Sequence, residues 1–276
     1  MAVVLALIGA VSYGASDFIG GLMTRRAGNW SVVAVAQTAA VVSLLIVLPF
    51  LPGSLSLRGF VWGALAGVGT TIGTLALYRG LAQARMNVVA PLSGVIAAVV
   101  PVVVGLLTGD RPSTAALVGI GVALAAIVLV SLSGAPEEAE RPSGVIEGVV
   151  AGAGFGLLFI ALQRAGSAAG AWPVLASEAV SVVAVVGIAL VRRYPLAPRV
   201  KDLPGISAVG VLGAGATVLY LYATAHGLLS LVAVLISLYP AATVILAAVV
   251  LRERSTRVQV VGMFCAVVAV VLIARG

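Results

Sequence analysis

The chain has 276 residues, of which 62% are hydrophobic and only 9% charged, and its mean hydropathy is +1.22. A water-soluble domain must cover its interior with a polar exterior, so this composition excludes one and leaves an integral membrane protein. The net charge of +7 comes without a basic face interleaved with aromatics. That excludes nucleic acid as a partner and assigns the arginines to the ends of membrane spans.

Residues 2–23 form the first expected span. It lacks the basic start of a signal peptide, and Asp17 interrupts its apolar run. Arg25-Arg26 follows as a stop-transfer flank. The second span, 31–50, is introduced by Trp30 at the interface and closed by Pro49 and Pro52. The third, 60–81, carries Gly63-xxx-Gly67 and Gly69-xxx-Gly73, spacings that let another helix approach closely. The fourth, 87–108, contains Pro91 and Pro101, and the fifth covers 114–133. The stretch GAPEEAERPS, 134–143, is the longest polar run and reads as a solvated linker holding Glu137, Glu138 and Glu140. The sixth span, 144–164, has Gly148-xxx-Gly152-xxx-Gly156. The seventh, 172–191, opens on Trp172-Pro173, and the eighth, ninth and tenth cover 205–226, 230–251 and 257–274. Prolines 91, 101 and 240 are expected to interrupt backbone bonding in the fourth and ninth spans. The single cysteine, Cys265, excludes an intrachain disulfide and a thiolate metal cluster.

One stretch occurs twice. Asn87 to Gly121 reads NVVAPLSGVIAAVVPVVVGLLTGDRPSTAALVGIG, and from Ser230 the chain reads SLVAVLISLYPAATVILAAVVLRERSTRVQVVGMF. Without a gap, Asn87 falls on Ser230, Asp110-Arg111 on Glu253-Arg254, Ser113 on Thr256 and Gly119 on Gly262. Such repeats define the architecture. The expected fold is therefore all-α and integral to the membrane, with ten transmembrane helices as two five-helix repeats. The first repeat is 1–133, the linker 134–143 and the second repeat 144–276. An odd number of spans per repeat forces the second copy to enter from the opposite side, giving inverted repeats, a common transporter plan. The acid–arginine pairs read as structural, each acid favouring the N-terminus of the helix that follows.

Lys and Arg concentrate in loops after odd-numbered spans, among them Arg25, Arg26, Arg192, Arg193, Arg199, Lys201, Arg252 and Arg254. The opposite side holds only Arg58, Arg111, Arg164 and Arg275. This count places the odd-numbered loops in the cytoplasm and both termini outside. The expected location is a bacterial cell membrane.

Ionisable residues inside spans are costly and are functional candidates by default. Asp17, in SYGASDFIGG, shares a helical face with Tyr13 one turn earlier. The pair reads as a cavity carboxylate that binds an amine or carries a proton; the structural alternative is an acid satisfied by local hydroxyls or Arg25. Glu178, in VLASEAVSVV, is either specialised chemistry or a helix-start acid favoured by the dipole. His226, at the end of the eighth span, is a pH-sensing candidate or a satisfied interfacial residue. Phe155 and Phe159, one turn apart, form an apolar wall or core packing.

The stretches ALYRGLAQARMNVVAPLSG, Asp110-Arg111 with Gly119, and LVAVLISLYP…LRERSTRVQVVG resemble the paired repeats of the EamA-type family of the drug/metabolite transporter superfamily. The resemblance covers essentially the whole chain. It implies the ten-helix arrangement, a solute among amino acids, metabolites and drugs, and a cavity walled by the first, third, fourth, sixth, eighth and ninth spans. On that basis Tyr78, Ser93, Tyr220 and Ser237 join Tyr13, Asp17 and Glu178 as candidates for binding substrate or protons. The chain departs from the family pattern in having Asp110 where a glutamate is usual. Many members also have both termini in the cytoplasm, opposite to the charge count.

The expected function is secondary transport of a small metabolite, amino acid or drug-like solute by alternating access, with proton-coupled export. No nucleotide-binding Gly-Lys-Ser/Thr loop exists, and the lone lysine is Lys201, so energy comes from a gradient and no cofactor is expected. No metal-dependent or serine-nucleophile signature is present, so an enzyme is not expected. The alternatives are an accessory or structural subunit, for example in lipid-linked sugar translocation, and an uncoupled facilitator or exchanger. The expected partners are a small-molecule solute, protons in a coupled cycle and the lipid bilayer.

Overall fold

The computed structural model describes residues 1–83, 86–131, 144–251 and 256–275. The expected linker 134–143 and the pair Glu253-Arg254 lie outside the described residues, as do the side chains of Asn87 and Pro91. The described residues contain helices and no strand. Helix α1 spans Ala2–Ala27, α2 Asn29–Val47, α3 Leu57–Gln83, α4 Met86–Thr108 and α5 Thr114–Ser131. After the linker, α6 spans Val145–Ala165, α7 Trp172–Arg192, α8 Leu203–Thr224, α9 Leu229–Ile236, α10 Tyr239–Val250 and α11 Arg257–Arg275.

Among the described residues nine stretches are long and apolar enough to cross a membrane, with α9 and α10 counted together; the apolar part of α4, Leu92–Thr108, is shorter. The chain is a multi-pass membrane protein. Outward positions are apolar, among them Val4, Ile8 and Val11 on α1 and Val261 and Phe264 on α11. A helix satisfies its own backbone, so such faces meet hydrocarbon at no polar cost. Helix ends follow local chemistry. Gly28 and Gly166 take φ of 77° and 87°, and their N–H groups bond back to Thr24 and Gln163. Such a φ is open to glycine and strained for other residues, so both helices stop there. At the start of α11, Thr256 and Gln259 form a reciprocal capping box, each side chain accepting from the other's backbone N–H at 3.2 and 2.9 Å.

The helices interleave across the two halves. Helix α1 packs on α8 and α10, α2 on α7 and α8, α3 on α6 and α7, α4 on α6 and α9, and α5 on α11. Exchanging the halves maps this set onto itself: α1 on α8 becomes α6 on α3, and α2 on α8 becomes α7 on α3. Lipid tails are as apolar as the side chains, so close packing of small residues holds such helices together. The glycines of α3 work in two registers. Gly63 and Gly67 abut α7 at Pro173 and Ser177, whereas Gly69 and Gly73 abut α6 at Gly154 and Phe155. In α6, Gly148, Gly152 and Gly156 receive Leu92, Ile96 and Val100 of α4.

The ninth span is interrupted at Pro240 as expected, while the expectations for Pro101 and Asp110 are corrected. The ninth span is two helices, α9 and α10, joined at Ser237 and Leu238. Pro240 has no N–H to give, and the chain restarts with this proline in the first turn, where no donor is required. The fourth span, by contrast, runs unbroken through Pro101 as α4. Asp110 does not serve the N-terminus of α5, where Ser113 Oγ accepts from the Ala116 N–H at 3.1 Å. Asp110 Oδ2 instead accepts from the Ser230 N–H at 2.8 Å and caps α9 from the other half. Trp30, expected at the interface, stacks on Tyr194 with ring centroids 4.6 Å apart.

Candidate functional site

A cavity of about 130 Å³ lies between the halves, walled by α1, α2, α3 and α4 of the first and by α6, α7, α8 and α10 of the second. Its polar lining is sparse: Asp17 and Glu178, three tyrosines, Gln37 and a few hydroxyls, set among Phe155, Phe159 and aliphatic residues.

Helix α1 is pinned by hydroxyls on the face that carries Asp17. Ser12 and Ser16 donate to the Leu212 and Val209 carbonyls of α8 at 2.8 and 2.9 Å. Between them the Tyr13 and Thr217 hydroxyls lie 2.6 Å apart. Thr217 has one hydroxyl proton, which goes to the Gly213 carbonyl at 2.9 Å, so Tyr13 is the donor. From the other side Thr243 of α10 donates to the Gly14 carbonyl at 3.1 Å. These bonds hold Asp17 at a fixed rotation about α1. One turn on, Gly20 leaves room for Tyr78, whose hydroxyl would lie 3.2 Å from a Cβ placed there.

Glu178 is held similarly. On the preceding residue, the Ser177 hydroxyl lies 3.3 Å from that of Thr70, and one turn along the hydroxyls of Thr71 and Ser181 lie 3.0 Å apart. These contacts lock α7 to α3. Glu178 is only 7% exposed. Among the described residues neither carboxylate forms a hydrogen bond or an ion pair; the one ion pair there joins Arg79 to Glu147 near the protein surface. Asp17 is half-buried and Glu178 buried, and a charge withdrawn from water without a partner is costly, so a proton or a cation would relieve either group. None of the described lining residues is Lys, Arg or His. Among the described residues no group of three or more His, Cys, Asp or Glu gathers to hold a metal.

The structure thus brings Asp17, Tyr13, Tyr78 and Glu178 to one cavity, from three helices of the two halves. Ser93, Tyr220 and Ser237 are fully buried and do not line it. Tyr220 supports the wall from behind, its hydroxyl donating to the Phe159 carbonyl at 2.8 Å and its ring packing 4.6 Å from that of Phe159. Ser237 lies at the break between α9 and α10. Phe155 and Phe159 both line the cavity. His226 is exposed after α8, a ring nitrogen 2.8 Å from the Tyr222 carbonyl, away from the cavity.

Among the polar lining residues, Tyr239 and Gln37 escaped the sequence reading. Tyr239 opens α10 at the break and meets Tyr13 edge-on at 6.3 Å. Gln37, in the middle of α2, is 7% exposed, and its Oε1 has no partner among the described residues. A signal for it existed, since an amide in the apolar run AVAQTAA is out of place.

Among known proteins, the model of the EamA-like transporter family matches residues 142–275. A solved crystal structure superposes on the chain with a TM-score of 0.73 at 17% identity, covering 98% of this chain and 97% of that one. At that identity the likeness speaks to the fold alone. No curated protein matches the chain.

Proposed function

We propose, from the premise that the chain belongs by residues 142–275 to the EamA-like transporter family, that it is a secondary transporter moving a small solute across the membrane by alternating access. The observation that carries this reading is the convergence of Asp17 from the first half and Glu178 from the second on one cavity at the boundary between the halves. In the proposed cycle the two five-helix repeats, 1–133 and 144–276, are inverted and rock around that cavity. The helix pairing that maps onto itself when the halves are exchanged supports this arrangement. Asp17 and Glu178 carry protons, coupling export of the solute to proton entry, with Tyr13 and Tyr78 contacting the solute. Ser93, Tyr220 and Ser237 act at one remove, through the packing of the walls. A family of transporters fits a chain without an enzymatic role.

The test uses purified protein in liposomes holding a pH-sensitive dye, with pooled amines, amino acids and sugars added outside. Solute-driven proton movement, abolished by Asp17→Asn or Glu178→Gln, is the expected result. A proton signal untouched by both substitutions would refute the carboxylate-carrier mechanism. Labelled-solute uptake without proton movement would make the protein an uncoupled facilitator or exchanger. Silence across the pools would favour an accessory role.

A further inference from the structure

We infer that the cavity selects a small primary-amine cation, and that Gln37 is the residue that distinguishes a primary ammonium from a fully substituted one. The inference rests on the cavity being the solute site of the proposed transporter.

The charge balance is one-sided. Asp17 and Glu178 both line the space, and no described lining residue is cationic. A solute bearing a carboxylate would meet two acids and no counter-charge, so the cavity disfavours it by repulsion and desolvation together. An ammonium meets the opposite case: two acidic partners, with aromatic rings lining the same space. Tyr13, Tyr78, Tyr239, Phe155 and Phe159 line the same cavity, and ring faces attract a desolvated cation.

Gln37 refines the choice. Its side chain is almost wholly buried, it lines the cavity, and its carbonyl oxygen has no partner among the described residues. A buried acceptor left unmatched costs free energy, and a half-turn of the amide about its terminal torsion, which exchanges oxygen and nitrogen in the same shape, offers that acceptor to a ligand N–H in the cavity. A primary ammonium has three N–H donors, enough for two carboxylates and one amide carbonyl; a quaternary ammonium has none. The volume limits the rest of the molecule. About 130 Å³ is near the roughly 150 Å³ that accommodates one benzene, so the solute is a short-chain or single-ring amine.

The test is calorimetric binding to the purified protein in lipid nanodiscs, with four probes of matched chain. These are n-butylamine, its trimethylated quaternary analogue, norvaline (the same amine bearing an α-carboxylate) and valerate. Butylamine should bind at least tenfold more tightly than norvaline, with valerate weaker still. Gln37→Leu should weaken butylamine about tenfold, or about 1.4 kcal/mol, and leave the quaternary analogue unchanged. Gln37→Met, closer in shape, should repeat that split if the leucine variant folds poorly. Norvaline or valerate binding as tightly as butylamine would overturn the inference. So would equal weakening of both cations in the Gln37 variants, or no butylamine binding at all. The two readings fail separately. Butylamine binding without any flux in liposomes would sink the transport reading and leave the selectivity standing. Flux driven by norvaline or valerate, with butylamine silent, would do the reverse.

Discussion

Gly210 offers a direct measure of how tightly the cavity wall is assembled. It lies on α8 against α2, lines the cavity, and is buried. A Cβ placed on it would collide with the Ala36 carbonyl oxygen and lie 2.6 Å from the Ala36 carbonyl carbon and 3.0 Å from the Ala40 nitrogen. Ordinary contact is 3.4–4 Å, and every atom met is backbone, so no side chain can rotate away. Gly210→Ala must therefore part the two helices by about 1 Å. A gap of that size forfeits a quarter to a half of each dispersion contact across the interface, and forced overpacking costs about 1–3 kcal/mol. Gly215 on the same helix is the control, because a Cβ there meets nothing within 4 Å. Alanine in place of an exposed helical glycine gains roughly 0.5–1 kcal/mol from propensity. Both substitutions share that gain, so the difference between them isolates the α2–α8 contact. The assay is reversible unfolding of the purified variants in mixed micelles, followed by tryptophan fluorescence. Gly210→Ala should be less stable than Gly215→Ala by about 1–3 kcal/mol. Equal stability of the two variants would refute the close approach of α8 to α2.

Two further substitutions separate support from contact. Asp110→Ala removes the carboxylate that caps α9 across the halves; it should cost about 1 kcal/mol in the same unfolding assay, with Asp110→Asn recovering most of it. An alanine variant as stable as the parent would mean that the cap contributes nothing. Tyr220→Phe removes the bond to the Phe159 carbonyl and should cost about 1 kcal/mol of stability, with butylamine affinity changing less than twofold. A large loss of affinity at unchanged stability would place Tyr220 in the binding surface after all.

Much of this fold was legible in the chain because apolar length and polar punctuation are local properties. The runs ending at Arg25-Arg26, Pro52, Asp110 and Arg192 are bounded by residues that hydrocarbon or helix geometry rejects, and the helices end within a few residues of those marks. The glycine spacings of α3 and α6 announced close packing for the same local reason. Asp17 and Glu178 were visible because an ionisable group inside a span is conspicuous.

The walls of the cavity were not legible. Helices in this protein are apolar nearly all round, so periodicity does not say which face turns inward. Tyr78 and Tyr220 are alike in sequence, yet one lines the cavity and the other stands behind Phe159. Gln37 gained its place because α2 packs on α7 and α8 from the other half, a rotation fixed by contacts distant in the chain. Asp110 found its donor at Ser230 rather than in α5 for the same reason: the nearer N-terminus already had Ser113, and packing of α4 on α9 brought the other within 2.8 Å. The sequence by itself determined which segments enter the membrane and where they stop. Only the packing of one half against the other decided which side chains share a cavity, because that depends on the rotation of each helix about its axis, which long-range contacts set.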